Sequence, residues 1–374
     1  MKILIVSGIY PPDIGGPASF AFNLGQAFTL RNHEVKIVTL ADKLTASSLA
    51  RSNIKIYRIL RKQNFFFRFL RTVIQIRIAS QSVDLIICTG LHEECGLALI
   101  GRKTKAIAKV VGDPVWERAV NKKITDKTIE IFNVETKITN LKIKMQRFLL
   151  SKSLNNFELI IVPGDSIESI VKLWRLKAEV KKVSNAVVPL KKDNVKKKMI
   201  IKFDFLVVSR LVKWKRVDLA INIAAKLQKS IAVIGLGPEL QSLKNYAESL
   251  GAEASFLGTR NQEEIYEISK NCFCFIQMSE YEGMSYSILE AMNAGLLVIC
   301  SDIQANRDVI THLYNGILIN SKSLDSSYDE LRSIFSNTDL VSSMISNAKI
   351  KIESEHNIST QVNFFENFVS ESTN

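Results

Sequence analysis

Short apolar runs with strand character alternate along this chain with segments of helical periodicity, and this alternation occurs in two successive series. The runs of the first series are residues 2–6, 35–40, 54–59, 84–88, 106–111 and 158–162. The runs of the second series are residues 203–208, 231–234, 254–257, 272–277, 297–300 and 317–319. Strands that alternate with helices form βαβ units, whose strands are parallel. The sequence therefore predicts an α/β protein with two parallel sheets in tandem.

The break between the two series predicts the domain organisation. A chain of 374 residues is long enough for two α/β domains of ordinary size. We expect an N-terminal domain over residues 1–185, a lysine-rich linker over 186–200 and a C-terminal domain over 201–355. Residues 356–374 are expected to form a terminal helix that packs back toward the N-terminal domain, because their apolar residues recur at helical spacing.

Charge is unevenly distributed between the two halves of the chain. Residues 1–200 contain 35 Lys and Arg against 16 Asp and Glu, a net charge of +19, whereas residues 201–374 contain 15 against 21, a net charge of −6. A basic half indicates an anionic partner such as membrane phospholipid, a phosphorylated molecule or nucleic acid. A generally basic proteome would give the same composition. No nucleic-acid recognition motif is present, so we expect no nucleic-acid partner.

No apolar run reaches 18 residues, and the apolar N-terminal run stops at Ser7 and Gly8, so we expect neither a membrane span nor a secretory signal. The expected location is the cytoplasm, with peripheral association at the inner face of the cell membrane. The five cysteines suggest no disulfide framework. No Asp-x-Asp sequence is present. We therefore predict that no metal and no cofactor is required.

Two glycine-containing loops follow predicted strands. Gly15 and Gly16 lie between the first strand and a helix predicted over residues 18–30. Glycine lets a ligand approach the backbone closely, and a helix N-terminus favours phosphate. Gly235 and Gly237 follow a strand of the second series in the same way. The third glycine of a dinucleotide-binding fingerprint would fall at Leu240, so a dehydrogenase is not indicated.

Charged residues follow two other strands of the second series. Arg210 and Lys215 come after its first strand, where the strand ends of an open α/β sheet form a binding crevice. Arg can bind phosphate oxygens in pairs and Lys acts as a point charge. Glu282 and Glu290 are eight residues apart, with a helix predicted to start near Ser285. Both carboxylates can then face one ligand, with the helix N-terminus between them.

These residues resemble those of a known family. The stretch from Glu282 to Glu290 is similar to the Glu-x7-Glu motif of the retaining glycosyltransferases of family 4, the glycosyl transferases of group 1, which adopt the GT-B fold. Other landmarks of the family occur in the same order, namely Gly15-Gly16, Asn185-Ala186-Val187, Arg210 with Lys215, Gly235-x-Gly237-Pro238 and Phe256-Leu257-Gly258. The resemblance covers nearly the whole chain. It implies two Rossmann-like domains that face a cleft, the first binding an acceptor and the second a nucleotide sugar.

The resemblance also implies roles for individual residues. Arg210 and Lys215 would bind the donor diphosphate, and Glu290 would bind the ribose. Glu282 would bind the donor sugar together with the backbone at Gly283, Met284 and Ser285. Thr259 or Arg260 would border the base. Family members often have Glu-Gly-Phe-Gly where this chain has Met284 and Ser285 after the glycine, which leaves the choice of donor open.

In the first domain, the segment after the fifth predicted strand contains Asp113. Many family members place a histidine there, in contact with the donor sugar. Asp113 is our candidate for a catalytic or acceptor-orienting residue, and a turn residue before Pro114 is the alternative. His92, after the fourth strand, is a weaker candidate that could simply start a helix.

The function that this resemblance implies is retaining transfer of a sugar from a nucleotide diphosphate sugar to an acceptor hydroxyl. The expected acceptor is a lipid-linked saccharide used for cell-surface polysaccharide. A transferase acting on a soluble acceptor and a sugar-nucleotide epimerase of the same fold remain as alternatives, as does a binding protein with a degenerate site.

A stretch of aromatic and basic residues over 61–77 predicts contact with an anionic membrane. On a helix, five apolar residues form one face that a sheet would bury, namely Phe66, Phe69, Leu70, Val73 and Ile74. Phe65 and Phe67 would lie outside that face, next to arginines, as in interfacial helices. An ordinary helix with a solvated charged face is the alternative interpretation.

Overall fold

The computed structural model describes residues 1–13, 15–43, 54–134, 140–188 and 203–371. The chain divides into two units, one formed by Met1–Asn185 with Ile358–Asn374 and the other by Ala186–Asn357. Most of the predicted linker, residues 186–200, lies outside the described residues.

The first unit contains a seven-stranded parallel sheet. Its strands are β1 (Lys2–Ser7), β2 (Glu34–Ala41), β3 (Ile54–Leu60), β4 (Leu85–Cys88), β5 (Lys105–Lys109), β6 (Leu159–Val162) and β7 (Glu179–Lys182). Their order in the sheet is β3-β2-β1-β4-β5-β6-β7. The direction of strand addition reverses between β1 and β4, which defines the switch point where open α/β sheets bind ligands.

Helices connect these strands. They are α1 (Gly16–Leu30), α2 (Phe65–Ala79), α3 (His92–Leu99), α4 (Pro114–Asn121), α5 (Ile129–Val134), α6 (Leu141–Leu154) and α7 (Asp165–Leu173). Helix α1 packs on β1 and β2, whereas α3 packs between α2 and α6. The core is formed by strand residues with little or no solvent exposure, which is typical of a sheet covered on both faces.

The second unit contains a six-stranded parallel sheet. Its strands are β8 (Phe203–Val208), β9 (Ile231–Ile234), β10 (Ala254–Gly258), β11 (Cys272–Gln277), β12 (Leu297–Ser301) and β13 (Ile317–Ile319), in the order β10-β9-β8-β11-β12-β13. Its α-helices are α8 (Val217–Lys226), α9 (Leu240–Ser249), α10 (Gln262–Ser269), α11 (Tyr286–Ala294), α12 (Gln304–Arg307), α13 (Ser327–Ser336) and α14 (Thr338–Glu355). The switch point lies between β8 and β11.

The last helix, α15 (Ile358–Ser370), packs on α1 of the first unit, as predicted. Phe365 is fully buried and its ring centroid lies 6.1 Å from that of Phe28. The Glu366 carboxylate accepts hydrogen bonds from Arg31 and His33, each at 2.7 Å. Helix α15 therefore belongs to the first unit.

The predicted α/β fold with two parallel sheets is confirmed, and the structure adds β7 and corrects the face of α2. Strand β7 is mostly exposed and lysine-rich, so it has no apolar run that periodicity could detect. Helix α2 buries Thr72, Val73, Ile76 and Ala79. The prediction that Phe66, Leu70 and Ile74 would be buried was wrong, because these three residues are exposed at a spacing of four.

Candidate functional site

The loop that follows β8 is fixed by backbone contacts with the loop that follows β9. The backbone N–H of Glu239 donates to the carbonyl of Leu211 at 3.1 Å. A Cβ on Gly235, whose φ is +140°, would lie 1.8 Å from the carbonyl oxygen of Ser209, and one on Gly237 would lie 2.1 Å from that of Leu211. These two glycines therefore let the two loops approach each other. Their predicted contact with a ligand stays a prediction.

The loop after β8 carries the two predicted phosphate-binding cations. Lys215 ends a short 3-10 turn, Lys213–Lys215, and its ammonium donates to the carboxylate of Glu282. These side chains are only 16% and 10% exposed. Arg210 is exposed, with its guanidinium 5.9 Å from the ring centroid of Trp214. The structure thus brings Lys215 and Glu282, 67 residues apart in the chain, into one ion pair.

Glu282 is held from a second side by Gln277, the last residue of β11. The Gln277 amide donates to Glu282 Oε1 at 2.9 Å, and its carbonyl oxygen accepts from the Ser285 hydroxyl at 2.8 Å. All three side chains are buried. This hydrogen-bond chain links the loop after β8, the end of β11 and the start of α11.

Helix α11 begins at Tyr286, as predicted, with Ser285 as its N-cap. The Ser285 hydroxyl accepts from the backbone N–H of Ile288 at 3.4 Å. Gly283 and Met284 lie in the turn between Glu282 and this cap, and Met284 is buried. The positive end of the α11 dipole and the Lys215 ammonium are therefore both close to Glu282, which favours an anionic ligand here.

Glu290 lies on α11 and contacts the neighbouring helix α10. Its carboxylate accepts from the Gln262 amide at 3.2 Å. Burial raises the pKa of Glu290 to about 7, and the hydrogen bond from Gln262 opposes this rise. Thr259 and Arg260 lie in the connection from β10 to α10, where the Arg260 guanidinium donates to the Thr259 carbonyl at 2.9 Å. The structure therefore places Glu290 beside α10, the helix that follows Thr259 and Arg260 in the chain.

In the first unit, Gly15 and Gly16 lie at the start of α1, which begins at Gly16 rather than at the predicted residue 18. Gly15 has a φ of +151°, and a Cβ there would lie 2.9 Å from Cδ1 of Ile9. A side chain at this position would therefore be strained as well as crowded. No side chain caps this helix.

Asp113 is fully buried, and both of its carboxylate oxygens accept hydrogen bonds. Oδ1 caps α4 by accepting from the backbone N–H groups of Val115 and Trp116, at 2.9 and 3.1 Å. Oδ2 accepts from Asn133 at 2.9 Å and from the Arg147 guanidinium at 2.8 Å. These contacts support the alternative interpretation as a turn and capping residue. A direct catalytic role for Asp113 stays a prediction.

His92 is the first residue of α3 and is buried. Its Nε2 donates to the carbonyl of Lys109 at 3.0 Å, and burial lowers its pKa, which favours the neutral imidazole. The alternative interpretation of His92, that it starts a helix, therefore agrees with its position.

Over the ranges that the structure describes, no group of three or more His, Cys, Asp or Glu side chains is arranged to hold a metal ion. The five cysteines are free. In the same described ranges no helix is long and apolar enough to cross a membrane.

Sequence reasoning missed the residues that support this site. Gln277 could have been found as the polar residue that ends a buried strand at the carboxyl edge of the sheet. Gln262, Asn133 and Arg147 had no such signal, because polar residues on helices are usually solvated. Their partners depend on how helices far apart in the sequence pack.

Most of the second unit matches a known protein family. Residues 191–351 match the family model described as glycosyl transferases group 1. An uncharacterized glycosyltransferase from Methanocaldococcus jannaschii is 30% identical over 210 residues, which cover 53% of this chain and 49% of that protein. An Escherichia coli protein named UDP-Gal:alpha-D-GlcNAc-diphosphoundecaprenol alpha-1,3-galactosyltransferase is 29% identical over 35% of this chain and 34% of its own length.

The chain thus spans half or less of the length of these two curated relatives. The crystal structure of Anabaena HepE in complex with UDP and glucose aligns with a TM-score of 0.79 over 99% of this chain and 100% of its own, at 16% identity. That likeness establishes the GT-B fold. The matched family model and both of these relatives are named as glycosyl transferases.

We expect Glu290→Gln to stabilise the fold more at pH 8 than at pH 5. Burial raises the pKa of Glu290 from 4.5 to about 7, so the stability that this group contributes is present below about pH 4.5 and is lost as the pH rises through 7. Melting temperatures of the variant and the wild type, measured from pH 5 to 8, should diverge in favour of the variant.

The control for this measurement is Glu263→Gln, an exposed residue of α10. It should follow the wild-type curve. If the melting temperatures of Glu290→Gln and the wild type change in parallel with pH, the carboxyl group of Glu290 ionises as it does in water.

Proposed function

We propose that this protein transfers a sugar from a nucleotide diphosphate sugar to an acceptor hydroxyl. The observation that carries this proposal is the Lys215–Glu282 ion pair beside the N-terminus of α11, within a glycosyl transferases group 1 domain. A cation and a helix N-terminus favour a diphosphate, and the carboxylate can accept hydrogen bonds from sugar hydroxyls. HepE, which shares the fold, was crystallised with UDP and glucose.

In this proposal Arg210 and Lys215 bind the donor diphosphate and stabilise the charge that develops on it as the glycosidic bond breaks. Glu282 binds the donor sugar together with the backbone at Gly283, Met284 and Ser285. Lys215 contacts Glu282, so part of this contact must be exchanged for phosphate oxygens when a donor binds. Gln277 then still holds Glu282 in place.

The remaining donor contacts are assigned to residues at the edges of these loops. Glu290 accepts from the ribose hydroxyls, and Thr259 or Arg260 borders the base. In the second unit, Gly235 and Gly237 give the donor access to the backbone. In the first unit, the assignment of Gly15 and Gly16 to phosphate binding stays a sequence-based prediction.

The proposed reaction retains the configuration at the anomeric carbon. The acceptor oxygen bonds to this carbon on the face from which the diphosphate leaves, and the proton of the hydroxyl passes to the departing diphosphate. Asp113 is assigned an acceptor-orienting role through the segment that contains Asn133 and Arg147. Its burial and its four accepted hydrogen bonds argue against direct proton transfer. No metal is required, because Arg210, Lys215 and the α11 N-terminus supply the positive charge.

The proposed acceptor is a lipid-linked saccharide. The E. coli relative is named for an acceptor that is joined to a lipid through a diphosphate, and the first 200 residues of this chain carry a net charge of +19. A soluble acceptor and an epimerase reaction are the alternatives. Release of nucleotide that does not depend on an added acceptor would favour the epimerase.

We also propose that the first unit binds an anionic membrane through α2 and α6. Both helices pack against α3, and together they contain seven Lys or Arg and no Asp or Glu. Their exposed apolar side chains are Phe65, Phe66, Phe67, Leu70, Ile74 and Ile78 on α2 and Leu141, Met145, Phe148 and Leu149 on α6. Exposed aromatics among basic residues favour the membrane interface, and each cation near an anionic surface adds about 1 kcal/mol.

We expect Lys215→Ala and Glu290→Ala each to lower sugar transfer about a hundredfold without unfolding the protein. Each change removes a proposed ligand contact, and loss of one such contact in the transition state costs about 3 kcal/mol. The measurement is initial rate with a donor found by a thermal-shift screen of nucleotide sugars. Lys213→Ala, an exposed lysine two residues before Lys215, is the matched control and should keep wild-type turnover. Near-normal rates in both site variants would refute the assignment.

Transfer should persist in excess EDTA. The proposed electrostatic stabilisation comes from side chains and a helix N-terminus, so removal of divalent ions should leave the rate unchanged. Complete loss of activity that added magnesium or manganese restores would contradict metal independence.

Sedimentation with vesicles tests the membrane proposal. The wild type should bind vesicles of phosphatidylcholine with phosphatidylglycerol at low salt and should bind pure phosphatidylcholine vesicles weakly. Phe66→Ser with Phe67→Ser should reduce binding about tenfold, because two side chains that are 64% and 69% exposed lose their apolar surface.

Leu30→Ser is the control, since Leu30 is 84% exposed on α1, outside α2 and α6. It should bind as the wild type does. Equal binding to neutral and anionic vesicles, or none to either, would rule out the membrane proposal and favour a soluble acceptor.

A further inference from the structure

Two polar atoms at the carboxyl edge of the first sheet are buried and have no hydrogen-bond partner within the described part of the chain. They are the hydroxyl oxygen of Thr89 and the Nζ of Lys109. Lys109 is 0% exposed and Thr89 is 3% exposed. Nearly all buried polar groups are hydrogen-bonded, and an ammonium group removed from water without an anion is costly. The packing of the unit does not account for this pair.

The two residues are neighbours on the same face of the sheet. Cys88 of β4 pairs with Ala108 of β5, so Thr89 and Lys109, which follow them, occupy equivalent positions on adjacent parallel strands. Equivalent positions on such strands project to the same face. The Lys109 ammonium lies 4.4 Å from the ring centroid of Phe20, a residue of α1. This is therefore the face that α1 covers.

The pair also lies beside the switch point of the sheet, between β1 and β4. The loops after these strands touch, because a Cβ on Gly90 would lie 2.8 Å from the backbone nitrogen of Gly8. The N-terminus of α1, one turn before Phe20, has no side-chain cap among the described residues. Open α/β sheets bind ligands at this edge, and uncapped helix N-termini favour anions.

We propose that Lys109 and Thr89 form a subsite for a phosphoryl oxyanion of the acceptor. The identity of the acceptor rests on the function proposed above, whereas the anion site itself does not depend on transfer. A lysine supplies a point charge and three donors, and a threonine hydroxyl supplies one more donor. Together they can bind two oxygens of one phosphoryl group.

The surroundings of Lys109 are consistent with such a subsite. Its ammonium lies against the Phe20 ring, a weaker partner than an anion. Burial lowers the pKa of Lys109 to about 7 from 10.5. Lys109 is the last residue of β5, so its side chain starts at the carboxyl edge of the sheet. An oxyanion there would restore the charged form of the amine.

Isothermal titration with inorganic pyrophosphate tests the subsite. The full chain is used with Arg210→Ala and Lys215→Ala, which remove the proposed donor contacts of the second unit. This double variant is the background for the other substitutions, and it should bind pyrophosphate. Adding Lys109→Met should weaken binding about tenfold or more, and adding Thr89→Val about threefold, as expected for lost hydrogen bonds to a charged group.

Lys103→Met is the matched control, because it removes the same charge from an exposed position just before β5. It should bind as the background does. Lys109→Met should melt at or above the temperature of the background, since an unpaired buried amine is replaced by an apolar side chain of similar length. A lower melting temperature, binding unaffected by Lys109→Met, or no binding in the background would each overturn the proposal.

Two sources of the phosphoryl group are distinguished by vesicle sedimentation of the same variants. Phosphatidylcholine vesicles that carry a polyprenyl diphosphate should bind the background and should bind Lys109→Met about tenfold more weakly if the group belongs to a lipid. Weakened pyrophosphate binding with unchanged vesicle binding would support the subsite and assign it to a soluble phosphorylated acceptor. Both measurements are independent of sugar transfer, so a failed transfer assay leaves them interpretable.

Discussion

The candidate site of the second unit depends on the ion pair between Lys215 and Glu282. It joins the loops after β8 and β11, which meet because these strands are neighbours at the switch point of the sheet. Both side chains are mostly excluded from water, and removing one partner from such a pair costs about 3 kcal/mol because the other charge is left unpaired. Gln277 and Ser285 extend the pair to the start of α11. One interaction thus sets the positions of a cation, a carboxylate and a helix N-terminus.

At the carboxyl edge of the sheet in the first unit, two buried charged residues differ in their hydrogen bonding. The Asp113 carboxylate accepts four hydrogen bonds and is completely buried, so it stabilises the segment after β5. Lys109, four residues earlier, is equally buried and lacks an acceptor within the described residues. Packing alone does not explain why Asp113 has all these hydrogen bonds while the buried amine of Lys109 has no acceptor. Departures of this kind from the rules of stability occur where proteins bind ligands.

Much of the fold and part of the candidate site could be predicted from the sequence. Periodicity located the strands because most of their apolar runs are buried, and it missed β7 because that strand is exposed and lysine-rich. It assigned the wrong face to α2, since a periodic pattern shows that a helix is amphipathic but not which side the sheet covers. The strand before Gly235 and Gly237 was predicted, yet the contact of these glycines with the loop after β8 depends on strand order. Gln277 and Lys109 act through partners that only the fold brings close.

The arrangement of Gln277 has a consequence for how a donor could bind. An anion that attracts Lys215 weakens the contact between Lys215 and Glu282, and a carboxylate without its cation would tend to move toward water. Gln277 donates to the same carboxylate and is itself fixed by Ser285, so Glu282 retains one hydrogen bond when Lys215 is engaged elsewhere. The Glu282 carboxylate can therefore keep its orientation while Lys215 moves from Glu282 to the ligand. Fixed groups of this kind are the basis of electrostatic preorganisation, because no protein reorganisation is needed when charge develops on the ligand.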